Sequence, residues 1–117
     1  MKYLVVIPTY NEAPTITKIV SEILELNSDL SILIVDDSSP DGTQTIVREI
    51  FSSEPRVNLL VRGKKEGLGL AYLAGFEWAF SREFDFIVEM DADGSHRPED
   101  LLKLLKSVEF PLNLSFK

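Results

Sequence analysis

The chain contains no cysteine, which excludes both a disulfide framework and thiolate chemistry and is compatible with a reducing cytoplasm. Basic residues are few. Twelve Lys and Arg stand against 19 Asp and Glu, for a net charge of −7, so non-specific nucleic-acid binding, which needs a basic face, is excluded. No apolar run approaches the ~20 residues needed to span a bilayer. The N-terminus runs straight into an apolar strand, so no secretory leader is expected. Neither nucleotide fingerprint is present: no G-x-G-x-x-G follows the first strand, and no G-x-x-x-x-G-K-[ST] occurs anywhere. Internal repeats and low-complexity segments are also absent.

What is present suffices for one small domain. The 117 residues are 44% hydrophobic, enough for a core. Apolar runs of strand length recur at Tyr3–Ile7, Leu30–Val35, Val57–Val61 and Phe86–Val88. Pro8 cannot donate to a ladder, so the first strand is expected to stop there. Between these runs lie helical patterns. Ile16, Ile19, Val20, Ile23, Leu24 and Leu26 share one face of a helix with Pro14 at its first turn. Ile46, Val47, Ile50 and Phe51 mark a second helix, ended by Pro55. Leu70 to Phe80 is apolar enough to predict a well-buried third helix, and Pro98 to about Val108 a fourth. Strands alternating with helices imply a parallel, doubly covered sheet with right-handed crossovers.

Ligands of such sheets bind beyond the carboxyl ends of the strands. Three strands deliver polar groups there: Pro8 to Glu12, Asp36-Asp37, and Asp91-Ala92-Asp93-Gly94. Two carboxylates two residues apart at the end of a buried strand cannot stay in a core unpaired. They suit a hard divalent cation, Mg²⁺ or Mn²⁺, which completes its shell with water and phosphate. In a net-acidic protein, such a cation would offset the charge of a phosphate ligand. The competing reading of the pair is a solvated turn with a capping aspartate. The basic, glycine-rich stretch Arg62 to Gly69 is either a solvated connector or a loop that meets an anionic ligand. His96, the one histidine, is either a capping residue or a site residue.

Four motifs in order carry a family resemblance: P-T-Y-N-E at Pro8–Glu12, D-D-S-S-P-D-G-T at Asp36–Thr43, G-L-G-L-A-Y at Gly67–Tyr72, and M-D-A-D-G-S-H at Met90–His96. The chain resembles the family 2 glycosyltransferases of GT-A fold, and among them the dolichol-phosphate and polyprenol-phosphate mannosyltransferases, from about Lys2 to Leu105. The resemblance implies a Rossmann-like, mostly parallel sheet with flanking helices. It implies transfer of mannose from GDP-mannose to a polyprenyl or dolichyl phosphate with inversion, though related transferases use UDP-glucose. Pro8, Tyr10 and Glu12 match the loop around the donor nucleotide, and Val35 and Asp37 its contacts to base and ribose. Asp91 and Asp93 match the metal-holding carboxylates, with Ala92 between them in the same donor loop. The resemblance assigns no catalytic residue. Location in the cytoplasm, at the cytoplasmic face of a membrane through the lipid substrate, is expected.

Relatives of this kind have a longer catalytic domain, whose acceptor side follows the D-x-D helix. Glu109–Lys117 does not match that part. Residues 1–117 are therefore expected to be the nucleotide-sugar-binding half of a GT-A domain, truncated, with a C-terminal half or partner subunit missing. The same donor half could instead act as a binding module without turnover. A phosphatase-like site is disfavoured, because no D-x-D follows the first strand.

Overall fold

In the computed structural model, the described residues are 2–92, 99–101 and 113–115. They form a parallel sheet of β1 (Tyr3–Thr9), β2 (Leu30–Asp36), β3 (Val57–Val61), β4 (Phe86–Glu89) and β5 (Asn113–Ser115), in the order β3-β2-β1-β4-β5. The helices between them are α1 (Ala13–Leu26), α2 (Thr43–Ile50) and α3 (Leu68–Phe80). Residues 99–101 are helical, and Leu101 is fully buried. The remainder of the expected fourth helix lies outside the described residues.

Period-two alternation divides the core between the two faces of the sheet. Val5 and Ile7 of β1 and Ile32 and Ile34 of β2 pack with Ile16, Ile19, Val20 and Ile23 of α1 and Val47 of α2. Leu4 and Val6, with Leu33 and Val35, pack on the other face against Ala71 and Ala79 of α3. Both faces are covered, as a parallel sheet requires.

Three expectations are corrected. First, β1 runs through Pro8 to Thr9, in register with Val35 and Asp36. The Val6 carbonyl accepts from Met90 N, so Val6 and, two residues on, Pro8 face β4. The β1–β4 ladder has already ended at Val6 and Glu89, so the N–H that proline lacks has no ladder partner to lose. Second, α3 is not well buried. It meets the sheet through Ala71, Gly75 and Ala79, a ridge of small residues, while Leu68, Leu70, Leu73 and Phe80 are exposed. The ridge brings the helix so near β1 that a Cβ on Gly75 would lie 2.5 Å from Cγ1 of Val6. Third, the sheet does not end at β4, because Asn113–Ser115 pairs in parallel with Ile87–Glu89.

Candidate functional site

The strand order reverses at β1. The chain winds outward through β2 and β3, then returns to place β4 on the other side. Ligands of doubly wound sheets bind outside the carboxyl ends of the strands at such a switch point. A cavity of about 200 Å³ lies there, lined by Pro8, Thr9, Tyr10 and Glu12 after β1, Asp37 after β2, Lys65, Gly67, Leu68 and Ala71 at α3, and Asp91 and Ala92 after β4. Six of the sequence-predicted site residues thus meet in one place: Pro8, Tyr10, Glu12, Asp37, Asp91 and Ala92. The Val35 side chain does not join them. It points into the layer beneath α3 and is fully buried. Asp93 and His96 lie outside the described residues.

The two neighbouring aspartates at the end of β2 have different environments, because successive side chains point to opposite faces. Asp36 is fully buried and accepts four hydrogen bonds, from Thr9 Oγ1 (2.7 Å), Ser39 N (2.9 Å), Ser39 Oγ (2.6 Å) and Gln44 Nε2 (2.8 Å). It is a bracket that fastens the loop after β2 to the end of β1. Asp37 is 5% exposed and faces the cavity. Its Oδ1 lies 3.5 Å from Arg62 Nε, an ion pair too long for a good hydrogen bond, and neither this oxygen nor Arg62 Nη1 has a hydrogen-bond partner. A buried acceptor and a buried donor left unsatisfied are costly unless something polar completes them, and the acceptor belongs to a residue that lines the cavity.

The loops after β1 and β2 are laced together. Asn11 N donates to Ser39 Oγ (2.9 Å), Glu12 N to Thr43 Oγ1 (3.2 Å) and Ala13 N to Asp41 Oδ2 (3.0 Å). The other oxygen of Asp41 accepts from Thr43 N and Thr43 Oγ1, so one carboxylate bridges the starts of α1 and α2. Slight burial pushes the Asp41 carboxyl up, but hydrogen bonds from the Thr43 hydroxyl and the Ala13 and Thr43 amides outweigh it and hold the group below its ordinary value. The lacing also holds Asn11 (φ 57°) and Ser38 (φ 55°) in the left-handed region, which non-glycine residues adopt at a cost. With Glu12 N and Ala13 N already engaged, these amides at the start of α1 are not available to an anion, unlike those of a phosphate-binding helix.

Lys65 Nζ sits 4.5 Å from the centre of the Tyr10 ring, at the rim of the cavity. The basic loop therefore meets the site through Lys65. It is tethered from behind, where Arg62 reaches Glu66 (3.4 Å). Gly67 opens α3 with φ 101° and ψ 161°, a conformation restricted to glycine. On the opposite wall, Thr15 Oγ1 of α1 donates to the Ala92 carbonyl (3.2 Å), and Tyr72 Oη donates to Asp91 Oδ1 (2.5 Å). The sequence singled out the motif that contains Tyr72 but gave that residue no role. Arg62 and Asp41 likewise lay within singled-out stretches but were given no individual role.

Asp91 after β4 thus lines a cleft at the switch point of a parallel α/β sheet. Residues 4–114 match the profile of glycosyl transferase family 2, and the chain belongs to that family. It is 47% identical over 113 residues to a polyprenol monophosphomannose synthase of Mycolicibacterium smegmatis, covering 96% of this chain and 43% of that protein. It is 44% identical over 108 residues to an undecaprenyl-phosphate mannosyltransferase of Micrococcus luteus, covering 92% and 44%. The chain thus spans less than half the length of these relatives. Among solved structures, a mannosyltransferase from Pyrobaculum calidifontis in complex with GDP-Man and Mn²⁺ superposes with a TM-score of 0.78 at 27% identity, covering 94% of this chain and 33% of that one. Staphylococcus aureus TarS shares the fold, with a TM-score of 0.73 at 23% identity. The architecture is the Rossmann-like GT-A fold that the motifs implied.

Proposed function

We propose that this chain is the donor-binding part of a metal-dependent, inverting glycosyltransferase that moves mannose from GDP-mannose to a polyprenyl phosphate. The observation that carries the reading is the convergence of Tyr10, Asp37, Lys65 and Asp91 on one cavity, with a buried, unsatisfied carboxylate oxygen on its wall. The names of the relatives supply the sugar and the class of lipid.

The residues fit a divalent cation. Asp91 brings a carboxylate to the cavity, and Asp93 follows two residues on in the sequence. A hard cation of this kind takes much of its shell from phosphate and water. When bound, the cation would supply Lewis-acid stabilisation of the charge that develops on the departing diphosphate. The chain's own groups do the rest. Asp37, backed by Arg62, offers an acceptor to N–H or O–H groups of the nucleoside. Tyr10 offers an aromatic face at the rim, and Lys65 places a cation there. A phosphate acceptor is already anionic at neutral pH, so the transfer requires little help from a general base.

With a lipid acceptor, the whole protein would work at the cytoplasmic face of a membrane. No described helix is long and apolar enough to cross one. Calorimetric titration with GDP-mannose and with UDP-glucose, both in Mn²⁺, tests the donor. Tighter binding of GDP-mannose is expected, and preference for UDP-glucose would replace the mannosyl reading with a glucosyl one.

A further inference from the structure

We propose that Tyr72 is a positioning residue for the metal site, aiming the Asp91 carboxylate through the hydrogen bond from its phenol. This inference rests on the reading of Asp91 as a metal ligand. A carboxylate at the end of a strand turns freely about its last bond unless something holds one oxygen. Tyr72 Oη holds Oδ1 at 2.5 Å, within the short range typical of an O–H donating to an ionised oxygen. With Oδ1 fixed, the direction of Oδ2 is fixed too. Outer partners of this kind set the orientation and basicity of metal-ligating carboxylates.

The scaffold around Tyr72 fits this role. The ring is half-buried and packs on the cluster beneath α3, which limits the reach of its hydroxyl. The preceding residue, Ala71, is 1% exposed and lines the cavity. Three residues further on, Gly75 lets α3 lie against β1, the strand beside β4. The helix therefore delivers the phenol to Asp91 from a fixed distance. The other two tyrosines are placed differently. Tyr10 meets Lys65 at the rim, and Tyr3 stacks on Phe86 at the far end of the sheet, with ring centres 5.2 Å apart. Phenylalanine at position 72 would keep the packing and remove only the donor.

The test uses the 117-residue chain and its Tyr72→Phe variant. Mn²⁺ affinity in the presence of GDP is read from the electron paramagnetic resonance of free Mn²⁺. GDP affinity in EDTA is read by calorimetry. The expected result is a roughly 10- to 100-fold loss of Mn²⁺ affinity with metal-free GDP binding unchanged. Unchanged Mn²⁺ affinity overturns the proposal, and so does an equal fall in both measurements, which would mark Tyr72 as merely structural. If the unsubstituted chain shows no GDP-dependent Mn²⁺ binding, the role of Asp91 falls first and the inference falls with it. Should the variant not fold, the native chain still decides. With ¹³Cζ-labelled tyrosine, adding Mg²⁺ and GDP should shift the Tyr72 resonance and leave that of Tyr3 in place. A Tyr72 resonance that does not move refutes the proposal.

Discussion

Asp36→Ala should unfold the loop system of the site without touching the ligand directly. The carboxylate is fully buried and accepts hydrogen bonds from two hydroxyls, one backbone N–H and one side-chain amide, all within 2.9 Å. Hydrogen bonds to a charged group contribute ~1.5–3 kcal/mol each, and such values do not simply add. The Ser39 and Gln44 groups are partly exposed and can turn to water. Thr9 is 3% exposed and cannot. Counting Thr9 in full and the other three together as one further bond gives a loss of about 3–6 kcal/mol. In a domain of this size each kcal/mol lowers Tm by roughly 4 °C or a little more, so a fall of at least about 12 °C is expected. Thermal and urea melts followed by circular dichroism measure it. A Tm within about 3 °C of the parent would refute the bracket role of Asp36.

Asp37→Asn should act on binding instead, weakening GDP-mannose by roughly tenfold to a hundredfold in calorimetry while lowering Tm less than Asp36→Ala does. If Asp36→Asn impairs binding without loss of stability and Asp37→Asn does not, the two roles are exchanged. Gly75→Ala should cost about 1–3 kcal/mol by overpacking against Val6, and Val6→Ala in the same chain should recover part of the loss in urea melts. The Asp41 carboxyl lies below its ordinary value of 3.8 in the folded chain, so its contribution to stability is complete above about pH 4 and is lost as pH falls through the folded value. The stability difference between the parent and Asp41→Ala should therefore shrink below pH 4 in acid melts, and a constant difference would contradict the bridge. Incubated with labelled GDP-mannose, Mn²⁺ and a short polyprenyl phosphate, the 117-residue chain should form no mannosyl lipid, because proteins named for that transfer are more than twice its length. Metal-dependent product would make it a complete transferase.

The parts of the fold that could be read in the sequence were those governed by local pattern. Apolar runs such as Leu30–Val35 are buried on both faces and announce themselves without any partner. The polar turns that follow them marked where the site would form. Where the reading failed, the deciding contact lay far along the chain. Pro8 continues its strand because of where β4 stops. α3 looked like a buried helix by composition, yet Gly75 and its neighbours Ala71 and Ala79 set the packing distance, and the larger side chains were left outside. Asn113–Ser115 is a strand with only Leu114 as an apolar residue and carries no signal of its own. Asp37 and Asp91 were visible because carboxylates at strand ends are unusual. Their partners Arg62 and Tyr72, 25 and 19 residues away, were visible only in three dimensions.

The central claim is that the cleft between β1 and β4 holds a nucleotide-sugar through a divalent cation. Calorimetric titration of GDP-mannose into the chain, once in Mn²⁺ and once in EDTA, tests it most directly, with Asp91→Ala as the companion. The account predicts binding in Mn²⁺, far weaker but measurable binding in EDTA, and loss of the metal-dependent part in the variant with its fold intact by circular dichroism. Equal affinity with and without metal, or an unaffected Asp91→Ala variant, would contradict it.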